Sequence, residues 1–522
     1  MASLRRLLSK GYFPEEIPQP FNTASFGRLL VRRAVPPQFL PTAKGKFTRQ
    51  ALTAKHNLAR VGRLRRVLGL PNPVLFFNLS REICGSWKEI QRHIARDHLT
   101  ITSPQAIASS DRAIVAKTAP PDRPRIKAKR RAKGRYVLIA DIQQFYPSVY
   151  THSLPWALHG KAIAKKNRHD MSLTGNRLDF WVRQGQDQQT RSIPIGPDTS
   201  LVLAEILLAA IDVELTARIG NVSGFRAIDD YELLFTTISD AENALAEFQA
   251  VLELYELRLN EEKTRIVQLP QVLDDTWPIQ LRRFDIRTGK KSESADLLDF
   301  FNLAFELSTT HPIKSILRYA ISRARSLSLR SSTWPLYQSL LLQCANSEPG
   351  TLKHVTAELK RYKDLGYSID HARIETTIEQ LVSRHLPLGH GSEVAWAIWL
   401  AIATESRISK TAAQLVATSH DPLVPLLALH ANARKLVPGG LDTTTWEDLM
   451  TPEELWGEQW LLCYEANVKG WLPSKGRKDH VAQDLCFSYL KDNAVSFYNI
   501  RASALRVKRW APRVGIVYRR LG

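Results

Sequence analysis

Long apolar runs are missing from these 522 residues. The longest, Leu201 to Leu215, is broken by Glu205, Asp212 and Glu214 and falls short of the roughly 20 apolar residues that cross a bilayer. No transmembrane helix and no membrane partner are expected. Cysteine is scarce: Cys84, Cys344, Cys463 and Cys486 lie far apart, with neither the Cys-x-x-Cys spacing of a zinc site nor the density of a disulfide-stapled domain. They read as reduced, mostly buried thiols. No G-x-x-x-x-G-K-[ST] loop occurs, which excludes nucleotide binding by that device. The segment Met1 to Glu16 is basic and holds only a short apolar stretch before charge returns, too little for a secretory signal. A cytoplasmic location is the expectation.

Acidic residues are also in deficit. Lysine and arginine number 72 against 51 aspartates and glutamates, a net charge of +21, and such an excess points to an anionic polymer, most commonly nucleic acid. The length suits two or three domains. Residues 1–135 mix helical patterns with proline breaks, including Leu70-Pro71-Asn72-Pro73, and end in a basic run from Arg123 to Arg135. That run reads either as a solvated loop or as a phosphate contact, and Arg125 and Lys127 lie within it. Residues 136–290 alternate short β-rich runs with longer amphipathic ones, the pattern of an α/β or α+β domain. In residues 291–522 strands disappear and capped helices follow one another. Asp370 precedes Ile374, Ile378 and Leu381 at helical spacing, and Asp421-Pro422 reads as an N-cap with proline at the first helical position. No residue-level repeat is visible. Trp456, Trp460, Tyr464 and Trp471 read as packing among the last helices, and His152 and His159 lack a third ligand nearby.

Within 136–290 three segments carry chemistry. The apolar run Tyr136 to Ala140 ends in Asp141, which places a carboxylate at the exit of a buried strand. In Gly224-Phe-Arg-Ala-Ile-Asp229-Asp230-Tyr-Glu-Leu-Leu-Phe235, apolar residues flank two adjacent carboxylates, as in a hairpin with a tight turn. Like charges side by side are costly unless a cation lies between them. Brought together, Asp141, Asp229 and Asp230 form an oxygen-rich set suited to two magnesium ions, with manganese as a substitute, and two such ions serve nucleotidyl transfer. The third segment, Ser192 to Ser200, is a turn-rich loop opening a long helix, where Gly196 permits close backbone approach and the small hydroxyl residues suit a cap. Farther on, Lys263 in Asn260-Glu-Glu-Lys-Thr264 is placed to act on a leaving phosphate.

In this order the segments resemble the motifs of the reverse-transcriptase palm. Asp141 matches the first aspartate, Ile193 to Ser200 the proline-glycine loop, Asp229-Asp230 the paired aspartates and Asn260 to Thr264 the following motif. The stretches Phe145 to Gly160, Ile195 to Ser200 and Leu70 to Pro73, with the long helical C-terminus, are most similar to the bacterial abortive-infection and defence-associated reverse transcriptases, the AbiK-like group. The resemblance implies an α+β fingers and palm fold, with 1–135 as N-terminal extension and fingers, 136–290 as palm and 291–522 as an all-α HEAT-like region. It implies a bacterial source, DNA synthesis from dNTPs, a single-stranded DNA product, defence against phage and a homo-oligomer, trimer or hexamer. Some relatives start from a hydroxyl of the protein without a template and others copy a non-coding RNA; the sequence does not choose. By the same resemblance Tyr146 matches the aromatic residue that excludes a 2′-hydroxyl, Ile142 a metal-ligand position acting through its carbonyl, and Arg125 and Lys127 the triphosphate contacts of the fingers. One residue departs from the pattern: two positions before Asp229, where tyrosine or phenylalanine is usual, stands Ala227. It is compatible with an unusual primer. Tyr12, Tyr150 and Tyr498 are among the hydroxyls available for priming.

Overall fold

Short, largely apolar runs such as Tyr136 to Ala140 build a four-stranded antiparallel sheet. The computed structural model describes residues 2–32, 35–41, 47, 49–61, 65–220 and 222–502. Strands β1 (Ala54–Ala59) and β2 (Arg65–Leu70) form a separate hairpin, and β3 (Pro104–Gln105) and β4 (Val115–Ala116) a short pair. The central sheet joins β5 (Tyr136–Asp141), β6 (Ser223–Ala227), β7 (Asp230–Phe235) and β8 (Arg265–Gln268) in the order β6-β7-β5-β8.

Side chains alternate across a strand, so the sheet has two different faces. Tyr231 and Leu233 of β7, with Leu138 and Ala140 of β5, turn into a core shared with two helices. One of these, Asp198–Ile219, is apolar all round and buried along most of its length, as a helix inside a core must be. The other, Ile238–Leu254, presents Ala241, Ala244, Phe248, Val251 and Leu252 at helical spacing and is capped by Thr237, whose hydroxyl accepts from the Asp240 amide at 3.1 Å. Asp141, Asp230 and Glu232 lie on the opposite face.

After β8 the described residues form helices and loops, apart from a single bridge between Phe21 and Tyr498. Asp370 caps the helix His371–His385 through the Arg373 amide, as its spacing foretold. At Asp421 the structure differs: the carboxylate takes the Leu423 amide and the ring of His56, and the helix starts only at Val424. The first hundred residues are divided between two cores. Tyr12 stacks on Phe76 and sits against Trp460 and Phe497 of the C-terminal helices, whereas Leu75, Leu79 and Trp87 belong to the core beneath the sheet. Trp460 and Tyr464 are buried and Trp456 packs at the edge of the same array.

Candidate active site

Register brings the carboxylates together. Asp141, the last residue of β5, is paired directly with Asp230, the first of β7. Ala227 pairs with Asp230 across the β6–β7 hairpin, so Ile228 and Asp229 are the two residues of its turn. Ile228 has φ +57°, a conformation that glycine adopts freely and a β-branched residue does not. Holding it there costs about 1–3 kcal/mol. The turn is tied to β5 by the Ile142 amide, which donates to the Asp229 carbonyl at 3.2 Å; Ile142 also bridges to Leu259.

Asp141 is nearly buried and already engaged. Asn260 Nδ2 donates to one of its oxygens at 3.0 Å and Lys263 Nζ to the other at 2.9 Å, while the Asn260 amide donates to the Asp141 carbonyl at 2.7 Å. The Asn260–Thr264 turn is thereby anchored on the strand end. Asp229 has its pKa raised by burial and by Asp141, against Lys263 and Arg66. Asp230, an exposed residue whose carboxylate is nevertheless crowded by the rim of the site, is pushed up to about 6 by desolvation, then by Asp229 and Asp141. Asp229 and Asp230, both held above the ordinary carboxylate range beside Asp141, with one lysine among them, fit a hard divalent cation in donor chemistry. Among the described residues a tighter cluster exists, His385, His390 and Glu393, but both oxygens of Glu393 are taken by the Arg65 guanidinium.

The remaining residues singled out from the sequence fall in different places. Tyr146 is half-buried in the short helix Phe145–Ser148, and burial and the charge of Asp229 raise its pKa, so it stands beside the turn. Gly196 has φ +122°, and a β-carbon there would meet Pro14 Cγ at 2.4 Å; its carbonyl accepts from Arg112 at 3.0 Å. The helix after this loop is not capped by the hydroxyls. Pro197 is its N-cap residue, Ser200 Oγ turns back to the Pro194 carbonyl, and Asp198 takes Arg112 and the amides of Ala113 and Ile114. The basic run is helical over Arg123–Arg131. Within it Arg125 is exposed, but Lys127 and Arg131 are bound to Glu232 at 2.6 and 2.9 Å, and Ile126 packs against the small cluster of Ile101, Phe225 and Ala227. Since Phe225 pairs with Glu232 and Ala227 with Asp230, this helix roofs the carboxylate-bearing face of the sheet at β6 and β7. The small Ala227 side chain leaves room for that roof.

The structure adds residues that the sequence reading passed over. Arg60, just after β1, and Arg66, in β2, are exposed at the end of the first hairpin. The charge of Arg66 lowers the Asp229 pKa and that of Asp229 raises the Arg60 pKa, so both cations lie within electrostatic reach of the turn. Two short strand-like runs around Gly62 were the available signal. Two hydroxyls considered for priming are withdrawn: Tyr12 donates to the Pro71 carbonyl and Tyr498 bonds His430, both fully buried. Tyr150 is half-buried.

Comparison with known proteins agrees with this arrangement. Residues 83–298 match the family described as reverse transcriptase (RNA-dependent DNA polymerase). No curated protein matches the chain. Solved structures similar to it include apo telomerase from Candida tropicalis, at TM-score 0.34 and 12% identity over 70% of this chain and 67% of that one. They also include telomerases with a TWJ fragment of telomeric RNA, from Candida albicans (TM-score 0.30, 12% identity, 67% and 64% covered) and Candida tropicalis (TM-score 0.31, 11% identity, 68% and 65% covered). The chain thus spans slightly less than two thirds of the length of the latter two. Asp141, Asp229 and Asp230 all lie inside the segment that matches the reverse-transcriptase family.

Proposed function

We propose that this protein is a metal-dependent DNA polymerase of antiphage defence that adds dNTPs to a hydroxyl of its own chain, without a template. The observation that carries the polymerase reading is the register pairing of Asp141 with Asp230, with Asp229 in the adjoining turn. Asp141, Asp229, Asp230 and the Ile142 carbonyl would hold two magnesium ions. Bound there, the ions lower the pKa of an attacking 3′-hydroxyl and offset charge on the departing pyrophosphate. The chain's own groups do the rest. Arg60 and Arg66 approach the triphosphate from the hairpin, with exposed Arg125 as a further contact. Lys263, now 2.9 Å from Asp141, would offer a proton and charge to the leaving group. Tyr146 closes the space beside the sugar and favours a deoxyribose.

Protein priming draws support from the roof over β6 and β7. With Ile126 on the cluster of Ile101, Phe225 and Ala227, and Lys127 and Arg131 on Glu232, the face on which a primer duplex would lie is partly covered by the protein itself. The defence role, the trimeric or hexameric assembly, a HEAT-like organisation of residues 291–522 and a bacterial cytoplasmic location rest on the sequence resemblance. Purified protein incubated with radioactive dNTP and magnesium should carry label through a denaturing gel, before and after ribonuclease. Label lost on ribonuclease treatment would favour copying of a bound non-coding RNA instead. Absence of label on the protein, with free DNA formed, would overturn self-priming.

A further inference from the structure

Beneath the catalytic turn lies a charged cluster to which no role has been given. Arg226, the residue before Ala227, is fully buried and points away from the site into the core. Its Nε binds Asp212 at 2.5 Å, its two terminal nitrogens bind Glu205 at 3.1 Å each, and one of them binds Asp97 at 2.7 Å. These carboxylates are held in turn. Thr100 and Thr102 donate to Glu205 at 2.9 and 2.8 Å, and Tyr231 donates to Asp212 at 2.8 Å. Burying four ionisable groups is expensive unless each is paired and hydrogen-bonded, and core residues of the same volume would fold as well. Unlike apolar packing, such a cluster is directional.

Its direction is the turn. The terminal nitrogen of Arg226 that binds Glu205 Oε1 also donates to the carbonyl of Ile228 at 3.1 Å. Thr102 Oγ, whose proton goes to Glu205, accepts from the amide of Ile228 at 2.9 Å. Both backbone polar groups of the one left-handed residue in the turn are therefore fixed by the cluster, one through arginine and one through threonine. Left to itself, an isoleucine at this position relaxes to negative φ. The peptide between Ile228 and Asp229 would then rotate, and the Asp229 carboxylate would move with it.

We propose that Arg226 and Thr102 are positioning residues for Asp229: they clamp Ile228 in its left-handed backbone so that the metal-binding carboxylate is pre-aimed before substrate arrives. The inference rests on the polymerase reading for its catalytic consequence, but the clamp itself is tested separately by ion binding. Thr102→Val keeps shape and removes the acceptor; Ile228→Gly removes the need for a clamp, because glycine holds positive φ unaided. Thr102→Val should lower the rate of nucleotide addition about ten- to a hundredfold and weaken Mn2+ binding, followed by electron paramagnetic resonance, about tenfold. KM for dNTP should stay within about twofold, since triphosphate contacts are elsewhere. Introduced into Ile228→Gly, the same threonine change should cost less than about threefold in both readouts. A structural role alone would give equal losses in the two backgrounds, and that result, or unchanged Mn2+ binding in folded Thr102→Val, overturns the clamp. Arg226→Lys, which keeps charge but loses the fork, should follow Thr102→Val in direction. Wild-type protein that binds Mn2+ yet adds no nucleotide would sink the polymerase reading while leaving the clamp to be judged by the Mn2+ titrations.

Discussion

The two sides of one turn are built by opposite rules. Below Ile228, Arg226 and its carboxylates are dry, each group partnered several times over. Above it, Asp229 and Asp230 crowd Asp141 with Lys263 as the one nearby cation bound to the trio, and their pKa values are raised. A satisfied cluster has nothing left to bind and can only hold shape. A frustrated one is relieved by a cation. Placing the first directly under the second lets the strain of Ile228 be carried by rigid neighbours while the carboxylates remain free for cations.

Disrupting each side should give different losses. On the upper side, Asp141→Asn is expected to reduce nucleotide addition on the order of a thousandfold while thermal melting shows a protein as stable as the wild type. On the lower side, Arg226→Met leaves Asp97, Glu205 and Asp212 without their cation and should destabilise folding by about 3–5 kcal/mol, seen as a lower denaturation midpoint. If Arg226→Met melts like the wild type, the lower cluster is not what holds the fold there. Across the site, Arg66→Ala should raise KM for dNTP about tenfold, near the ~1.4 kcal/mol worth of one charge-assisted contact; an unchanged KM would remove the hairpin from triphosphate binding.

The smallest effect concerns pH. Folding lifts the Asp230 carboxyl to about 6, above the ~3.9 of an unfolded aspartate. The folded protein therefore takes up a proton where the unfolded chain does not, so this group favours folding fully below about pH 4, and the contribution is lost as pH rises through 6. Metal-free Asp230→Asn should accordingly melt about a degree or two higher than the wild type at pH 7.5 and no higher at pH 4.5. Added magnesium, which favours the ionised carboxylates, should raise wild-type melting and leave the variant behind. A variant less stable than metal-free wild type at pH 7.5 would contradict the repulsion.

Much of this was legible in the chain. Tyr136 to Asp141 reads as a strand ending in a carboxylate because β-branched and apolar residues are dense there, and Gly224 to Phe235 reads as a hairpin because paired aspartates interrupt two apolar runs. The Asp370 cap was equally local. Less local matters were not. Gly196 suggests space for a ligand until Pro14, far away in the chain, is found against it. Lys127 suggests a phosphate contact until Glu232 is found at its ammonium. Arg226 in the sequence is one cation among 72 lysines and arginines, and its burial depends on Asp97, from the loop after the helix Trp87–Ile94, meeting Glu205 and Asp212 of the helix Asp198–Ile219.

What the sequence alone determined is therefore the local chemistry: which residues carry oxygen ligands, where strands stop and turn, and that a large positive excess seeks an anionic polymer. Periodicity and turn preference act over a few residues, so they can be read from a few residues. Tertiary structure decided which charges are spent and which are available. Pairing energy depends on distance and burial, and only the folded chain sets Lys127 on Glu232, Arg226 under Ile228, and Arg60 and Arg66 within electrostatic reach of Asp229.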